Sequence, residues 1–218
     1  MLNKLLPWLI LISGLIYIFF VPSEPFLVSI AMKILPMILI IFYAYNNLSV
    51  KQGRFPWIIV IGLFFCMIGD ATLRWFVFGL SMFLIGHIFY SSAFLTKWKF
   101  SWSRFLAIIP IGVYSFFIGS QIIEALNEKG ESGLVIPVAI YIFVISFMLF
   151  TAVMTGFKSA IIGSTLFVIS DSVLAWNKFV NPVVFSHEII MITYYTAQFF
   201  IATVIIESRK WNRTTPNL

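Results

Sequence analysis

Asp70 and Asp171 are the residues of this chain best suited to chemistry, because each lies in a run that is otherwise largely apolar. The first run is Gly62-Leu-Phe-Phe-Cys-Met-Ile-Gly-Asp70-Ala-Thr-Leu-Arg-Trp75. The second is Gly163-Ser-Thr-Leu-Phe-Val-Ile-Ser-Asp171-Ser-Val-Leu-Ala-Trp176. In both, a glycine precedes the aspartate by eight residues, and a leucine and a tryptophan follow it at three and five. A carboxylate inside a lipid-spanning helix costs roughly 2.5–3.5 kcal/mol on insertion scales, so it usually faces a protein interior and serves a purpose there. Two in matching positions offer two kinds of chemistry. One is general acid and base work on a bound molecule, as in the paired carboxylates of glycosidases. The other is proton relay in a carrier.

Other polar groups gather around them. Lys33 stands about six residues into its apolar run, His87 lies mid-run, and His187 and Glu188 open the last run. At helical spacing His187, Met191, Tyr194 and Gln198 form one stripe, and His87 carries Tyr90 and Ser91 one turn on. Asp171 shares its face with Gly163 and Phe167, roughly 7–8 Å below Trp176 at 1.5 Å per residue. These positions predict a single pocket open towards one membrane face. Simpler roles exist for several members. Arg74, four residues after Asp70, is placed to form an ion pair with it, Lys33 can extend its ammonium to the membrane surface, and either histidine can be a packing residue. No G-x-S-x-G elbow, P-loop, H-E-x-x-H or C-x-x-C occurs, and the two histidines lack the spacing of a zinc site.

The elements that must hold these groups are transmembrane helices. Hydrophobic residues make up 61% of the 218 and charged residues 10%, against ~25% charged in soluble domains. Spans of about 20 apolar residues give an all-α, polytopic membrane protein of eight helices, read as one domain over 1–218. The predicted spans are 5–21, 27–47, 55–72, 76–96, 103–124, 134–156, 158–178 and 184–207. Lys4 and the run after it resemble a signal peptide, but Val21-Pro-Ser-Glu-Pro25 reads as a turn, which leaves a retained first helix. The lone Cys66 forms no intrachain disulfide. The net charge of +6 could suit nucleic acid, but its distribution points to topology instead. Ten basic residues (Lys4, Lys51, Arg54, Lys97, Lys99, Arg104, Lys158, Arg209, Lys210, Arg213) fall in the terminal segments and loops of one side. Only Arg74, Lys129 and Lys178 fall on the other. That bias places both termini in the cytoplasm, and all seven tryptophans fall near span ends.

The two aspartate runs are offset by four spans, so both cross in the same direction. Six identities in seventeen residues read as a parallel duplication of a four-helix unit, or as chance likeness between two interior helices.

Several runs then carry a family resemblance: Met32-Lys33-Ile-Leu-Pro36, Ile68-Gly-Asp70-Ala-Thr-Leu73, Phe83-Leu-Ile-Gly-His87-Ile-Phe-Tyr90, Ile169-Ser-Asp171-Ser-Val-Leu-Ala175-Trp-Asn177-Lys-Phe179 and Tyr194-Tyr195-Thr-Ala-Gln198. Together they resemble the YhhN-like lysoplasmalogenase family over residues 32 to 198. The resemblance implies an eight-helix enzyme of the membrane, such as a bacterial inner membrane, that cleaves the vinyl ether bond of lysoplasmalogens without metal or cofactor. Its partners are the lysophospholipid and the bilayer. Vinyl ether hydrolysis begins with protonation of the β-carbon, and water captures the resulting oxocarbenium ion. Asp171 is the expected acid and Asp70 the partner carboxylate, an order that can be reversed. Lys33, His87, His187, Tyr90, Tyr194, Gln198 and Asn177 are the expected substrate-binding residues. A small-molecule or proton-coupled transporter is the competing reading, and a ligand-sensing receptor built on Lys33 and the aspartates a third.

Overall fold

The structure is a computed structural model that describes residues 2–22, 24–49 and 53–214. Lys51, one of the ten loop charges, lies outside the described residues, as does the side chain of Arg213. Lipid offers a backbone no hydrogen-bond partners, so apolar runs close their bonds internally as helices. The described elements are α1 (Leu2–Phe20), α2 (Phe26–Asn46), α3 (Phe55–Thr72), α4 (Phe76–Leu95), α5 (Trp102–Phe105), α6 (Ile108–Glu128), α7 (Val135–Thr155), α8 (Lys158–Ala175) and α9 (Ser186–Thr214). Among the described residues there is no strand. Seven segments are long and apolar enough to cross a membrane, and α1 adds a shorter apolar stretch, Lys4–Phe20. The chain is therefore an all-helical, multi-span membrane protein.

Most of the predicted spans recur with small shifts at their ends, but two need correction. The span expected at 103–124 falls within one apolar segment, Trp102–Glu128, that a turn interrupts: α5 ends at Phe105, and α6 runs on from Ile108 to Glu128. Pro110 accounts for the turn, because it has no N–H for the Leu106 carbonyl and its ring crowds that group. The last span, expected to stop at 207, continues as helix to Thr214. Glu207 anchors this extension by accepting the backbone N–H groups of Lys158 and Ser159, each at 2.9 Å. The free amides at the start of α8 thus receive a negative charge, which suits a helix amino terminus.

Small residues decide how close the helices come. The α3–α4 and α8–α9 pairs pack most intimately. A Cβ on Gly62 would lie 2.5 Å from the Tyr90 ring and 3.2 Å from the Gly86 carbonyl. A Cβ on Gly163 would lie 2.9 Å from the Ala197 carbonyl. Gly156 ends α7 in the left-handed region (φ 74°), where a side chain would also collide with the Arg104 guanidinium. The main core draws on α1–α4 and α7–α9, and a smaller cluster joins Ile122, Leu126, Val138 and Phe179. In contrast, α6 is peripheral. Its Phe116 is 78% exposed, as a lipid-facing side chain is.

Candidate active site

Asp70 sits in the last turn of α3 and is buried. Its partner is Lys33 of α2, whose Nζ lies 3.5 Å from Oδ1 and donates to the Asp70 backbone carbonyl at 3.3 Å. The other carboxylate oxygen, Oδ2, has no hydrogen-bond partner among the described residues. Arg74 does not form the expected pair with it. Its guanidinium lies over the Phe26 ring, 4.6 Å from the centroid. The helix ends between the two residues, so Arg74 turns to the bundle's rim while Asp70 points inward.

Asp171 sits one turn from the end of α8, before the π-helical turn Trp176–Val180. The Tyr141 hydroxyl of α7 donates to its Oδ2. No cation is recorded against it among the described residues.

Between them lies a buried polar seam. Fully buried His87 packs edge-on against Phe167 at 4.5 Å and faces Tyr141 at 5.4 Å, and neither ring nitrogen has a hydrogen-bond partner among the described residues. Tyr90 donates to the Gln198 Oε1 at 2.7 Å, which leaves the Gln198 Nε2 and the nearby-face Ser164 Oγ unpartnered among the described residues. The Tyr194 hydroxyl reaches the Cys66 carbonyl at 3.5 Å and acts on the Asp70 charge. Buried polar atoms are rarely left unpaired without a reason. Four such atoms, with the Asp70 Oδ2 as a fifth, form a polar interior.

Not every expected residue joins this seam. Met191, Tyr194 and Gln198 of the last-helix stripe are buried, but His187 is exposed and packs its ring against Tyr17 at 5.6 Å. Asn177 accepts the Val183 N–H at 2.9 Å, which fastens the connection between α8 and α9. The expected single pocket is divided. A polar hollow of about 630 Å³, counted to its open mouth, holds Lys33, Asp70 and Arg74. A cleft of about 700 Å³, measured the same way, holds Asp171 and Tyr141.

Tyr141 was not singled out in the sequence, although it is the only tyrosine in the long apolar run Val135–Thr155. Leu73 was marked as one of the leucines that follow the aspartates of the two runs, but nothing local gave it a place in the lining of the site.

Fold and site thus define a multi-span helical membrane protein with two interior carboxylates served by neighbouring helices. The chain belongs to the YhhN family, whose sequence profile matches residues 28–205. It is 30% identical to mouse Lysoplasmalogenase TMEM86B over 197 residues, covering 88% of this chain and 82% of that protein. It is 34% identical to bovine Lysoplasmalogenase TMEM86A over 168 residues, covering 70% and 66%. Human Lysoplasmalogenase TMEM86A is 33% identical with the same coverage. No solved structure matches the chain.

Proposed function

We propose that this protein hydrolyses the vinyl ether bond of lysoplasmalogens, releasing a fatty aldehyde and a glycerophospho-head-group. Relatives named lysoplasmalogenase, alike over most of the chain, support the reaction. The observation that carries the mechanism is the unequal pair of carboxylates, one beside an ammonium and one beside a phenol.

Asp171 delivers its proton to the β-carbon of the vinyl ether, and Tyr141 orients the carboxyl through its hydrogen bond. The oxocarbenium ion that results spreads positive charge over the ether oxygen and the α-carbon, which the paired carboxylates stabilise. Asp70, held by Lys33, accepts a proton from water as the water oxygen bonds to the α-carbon. The hemiacetal then loses the hydroxyl proton, its carbon–oxygen bond to glycerol breaks, and the glycerol oxygen takes a proton. Aldehyde and alcohol leave, and one water has been consumed. Tyr194 and Gln198, buried with His87 and Tyr90, position that water or the glycerol. The positive-inside bias would put both termini in the cytoplasm and both aspartates towards the opposite face.

The test is aldehyde release from a lysoplasmalogen by the purified full-length protein and by Asp70→Asn and Asp171→Asn. Full activity in both variants would sink the carboxylate mechanism. No activity in the wild-type protein would sink the reaction itself. The carrier reading lacks comparable support, since the relatives carry the name of a hydrolase.

A further inference from the structure

Two recesses of opposite character meet at the aspartates. The polar hollow near the start of α2 presents Lys33, Asp70 and Arg74. The cleft enclosed by α4, α6, α7 and α8 is apolar over most of its wall, with Asp171 as its one charged lining residue. Leu73 belongs to the lining of both. A molecule that bridges them passes Asp70, Leu73 and Asp171 in turn. Its charged end then lies among cations, its middle beside two carboxylates, and its long end against hydrocarbon.

Resting on the reaction read above, we propose that the cleft between α4, α6, α7 and α8 holds the hydrocarbon chain of the lysoplasmalogen, while the Lys33–Arg74 hollow holds its phosphate head group. The polarity of the lipid matches the order of the recesses. Lys33 is committed to Asp70, so Arg74, over an aromatic ring and not on a carboxylate, is the cation of the hollow placed for a phosphate. A guanidinium binds phosphate oxygens through paired, charge-assisted hydrogen bonds. In the opposite direction the cleft extends past Asp171 to Tyr114, Ser115, Ile145 and Ser146, near the middle of α6 and α7.

The far end of the cleft is also informative. Ser115 and Ser146 hydrogen-bond to each other at 2.7 Å, joining α6 to α7. Together with Ile142 they line both the cleft and a groove on the outer face of the α6–α7 pair. Peripheral α6 is thus the wall between the chain subsite and lipid. Ser115 stands in that wall at the end of the cleft away from Asp171. It is the position at which chain length can be read.

The experiment compares wild-type protein, Ser115→Phe, Ser115→Ala and Arg74→Gln, full length and reconstituted, on lysoplasmalogens with short and long alkenyl chains. Filling one side chain's volume in an apolar pocket changes discrimination by about tenfold or more. Ser115→Phe is expected to lower kcat/KM for the long chain about tenfold relative to the short one, and Ser115→Ala, which removes only the bond to Ser146, to leave that ratio unchanged. Arg74→Gln is expected to raise KM about tenfold for both chains with kcat held. Equal losses at both chain lengths in a folded Ser115→Phe protein would overturn the chain subsite, and an unchanged KM in Arg74→Gln would overturn the head-group subsite. A wild-type protein without activity indicts the reaction alone. The subsites are then read by thermal melting with lysophosphatidylcholines of graded chain length, which lack the vinyl ether. Stabilisation that grows with chain length in the wild type and is lost in Ser115→Phe supports them, and stabilisation indifferent to chain length and to both substitutions overturns them.

Discussion

On α3 the aspartate meets an ammonium that arrives from α2; on α8 it meets a phenol that arrives from α7. The supporting packing is closely alike. In each copy a glycine two turns before the aspartate lets the next helix approach, Gly62 against Gly86 and Tyr90, Gly163 against Ala197 and Ile201. In each copy, too, the group that serves the carboxylate comes from the preceding helix. Closely similar backbones therefore position two carboxylates, and a single partner residue on each side makes them unequal. The difference between the two carboxylates thus lies in the flanking helices, not in the motif.

The most severe way to break the comparison is to neutralise each carboxylate without changing its shape. Asp171→Asn is expected to lower kcat for aldehyde release by about 10³-fold, and Asp70→Asn by about 10²-fold, within the range general acid–base groups supply. Equal losses would mean that the two copies share one role.

Removing the cation tests the α3 side by stability. Lys33→Met leaves Asp70 buried without its partner and is expected to destabilise the protein by about 3 kcal/mol, since breaking a buried pair is costly. The double variant Lys33→Met/Asp70→Asn should recover most of that loss in a thermal melt, and failure to recover would show that the loss does not come from an unpaired Asp70 carboxylate.

The glycines offer a finer contrast. Gly163→Ala drives a methyl against backbone atoms of α9, whereas Gly62→Ala first meets the movable Tyr90 ring. Overpacking typically costs 1–3 kcal/mol, so we expect about 3 kcal/mol for Gly163→Ala and about 1 kcal/mol for Gly62→Ala, measured by denaturation in detergent. Gly62→Ala should also disturb the Tyr90–Gln198 bond, visible as a rise in KM with modest change in melting.

Tyr141→Phe is the gentlest test. It keeps the ring against His87 and removes only the hydroxyl from Asp171. A hydrogen bond to a carboxyl is worth about 1.5 kcal/mol, so kcat should fall about tenfold with KM unchanged. A fall in KM affinity instead would mean that Tyr141 holds substrate and not the acid.

Much of this was open to inspection in the chain alone. Long apolar runs, charge asymmetry and two misplaced acids are local patterns, and a bilayer permits few answers to them: helices, with their polar groups turned inward. The spans followed, as did Asp70, Asp171, His87, Tyr90, Tyr194 and Gln198 as interior residues. The turn between α5 and α6 did not, although Pro110 marks it, because the apolar run continues across it without a change in hydropathy.

What the sequence determined by itself was therefore the class, the membrane-spanning pattern and the presence of two carboxylates that lipid could not tolerate. Which groups stand beside them was decided only by tertiary structure. Arg74, four residues after Asp70, was the partner that local spacing allowed, yet Lys33, 37 residues back in the chain, takes that place. Tyr141 reaches Asp171 across 30 residues. Leu73 gains its position between the hollow and the cleft from the helices that enclose the two, not from its neighbours in the chain. Helical periodicity sets the face on which a side chain lies, whereas the angle and approach of packed helices choose what that face will meet.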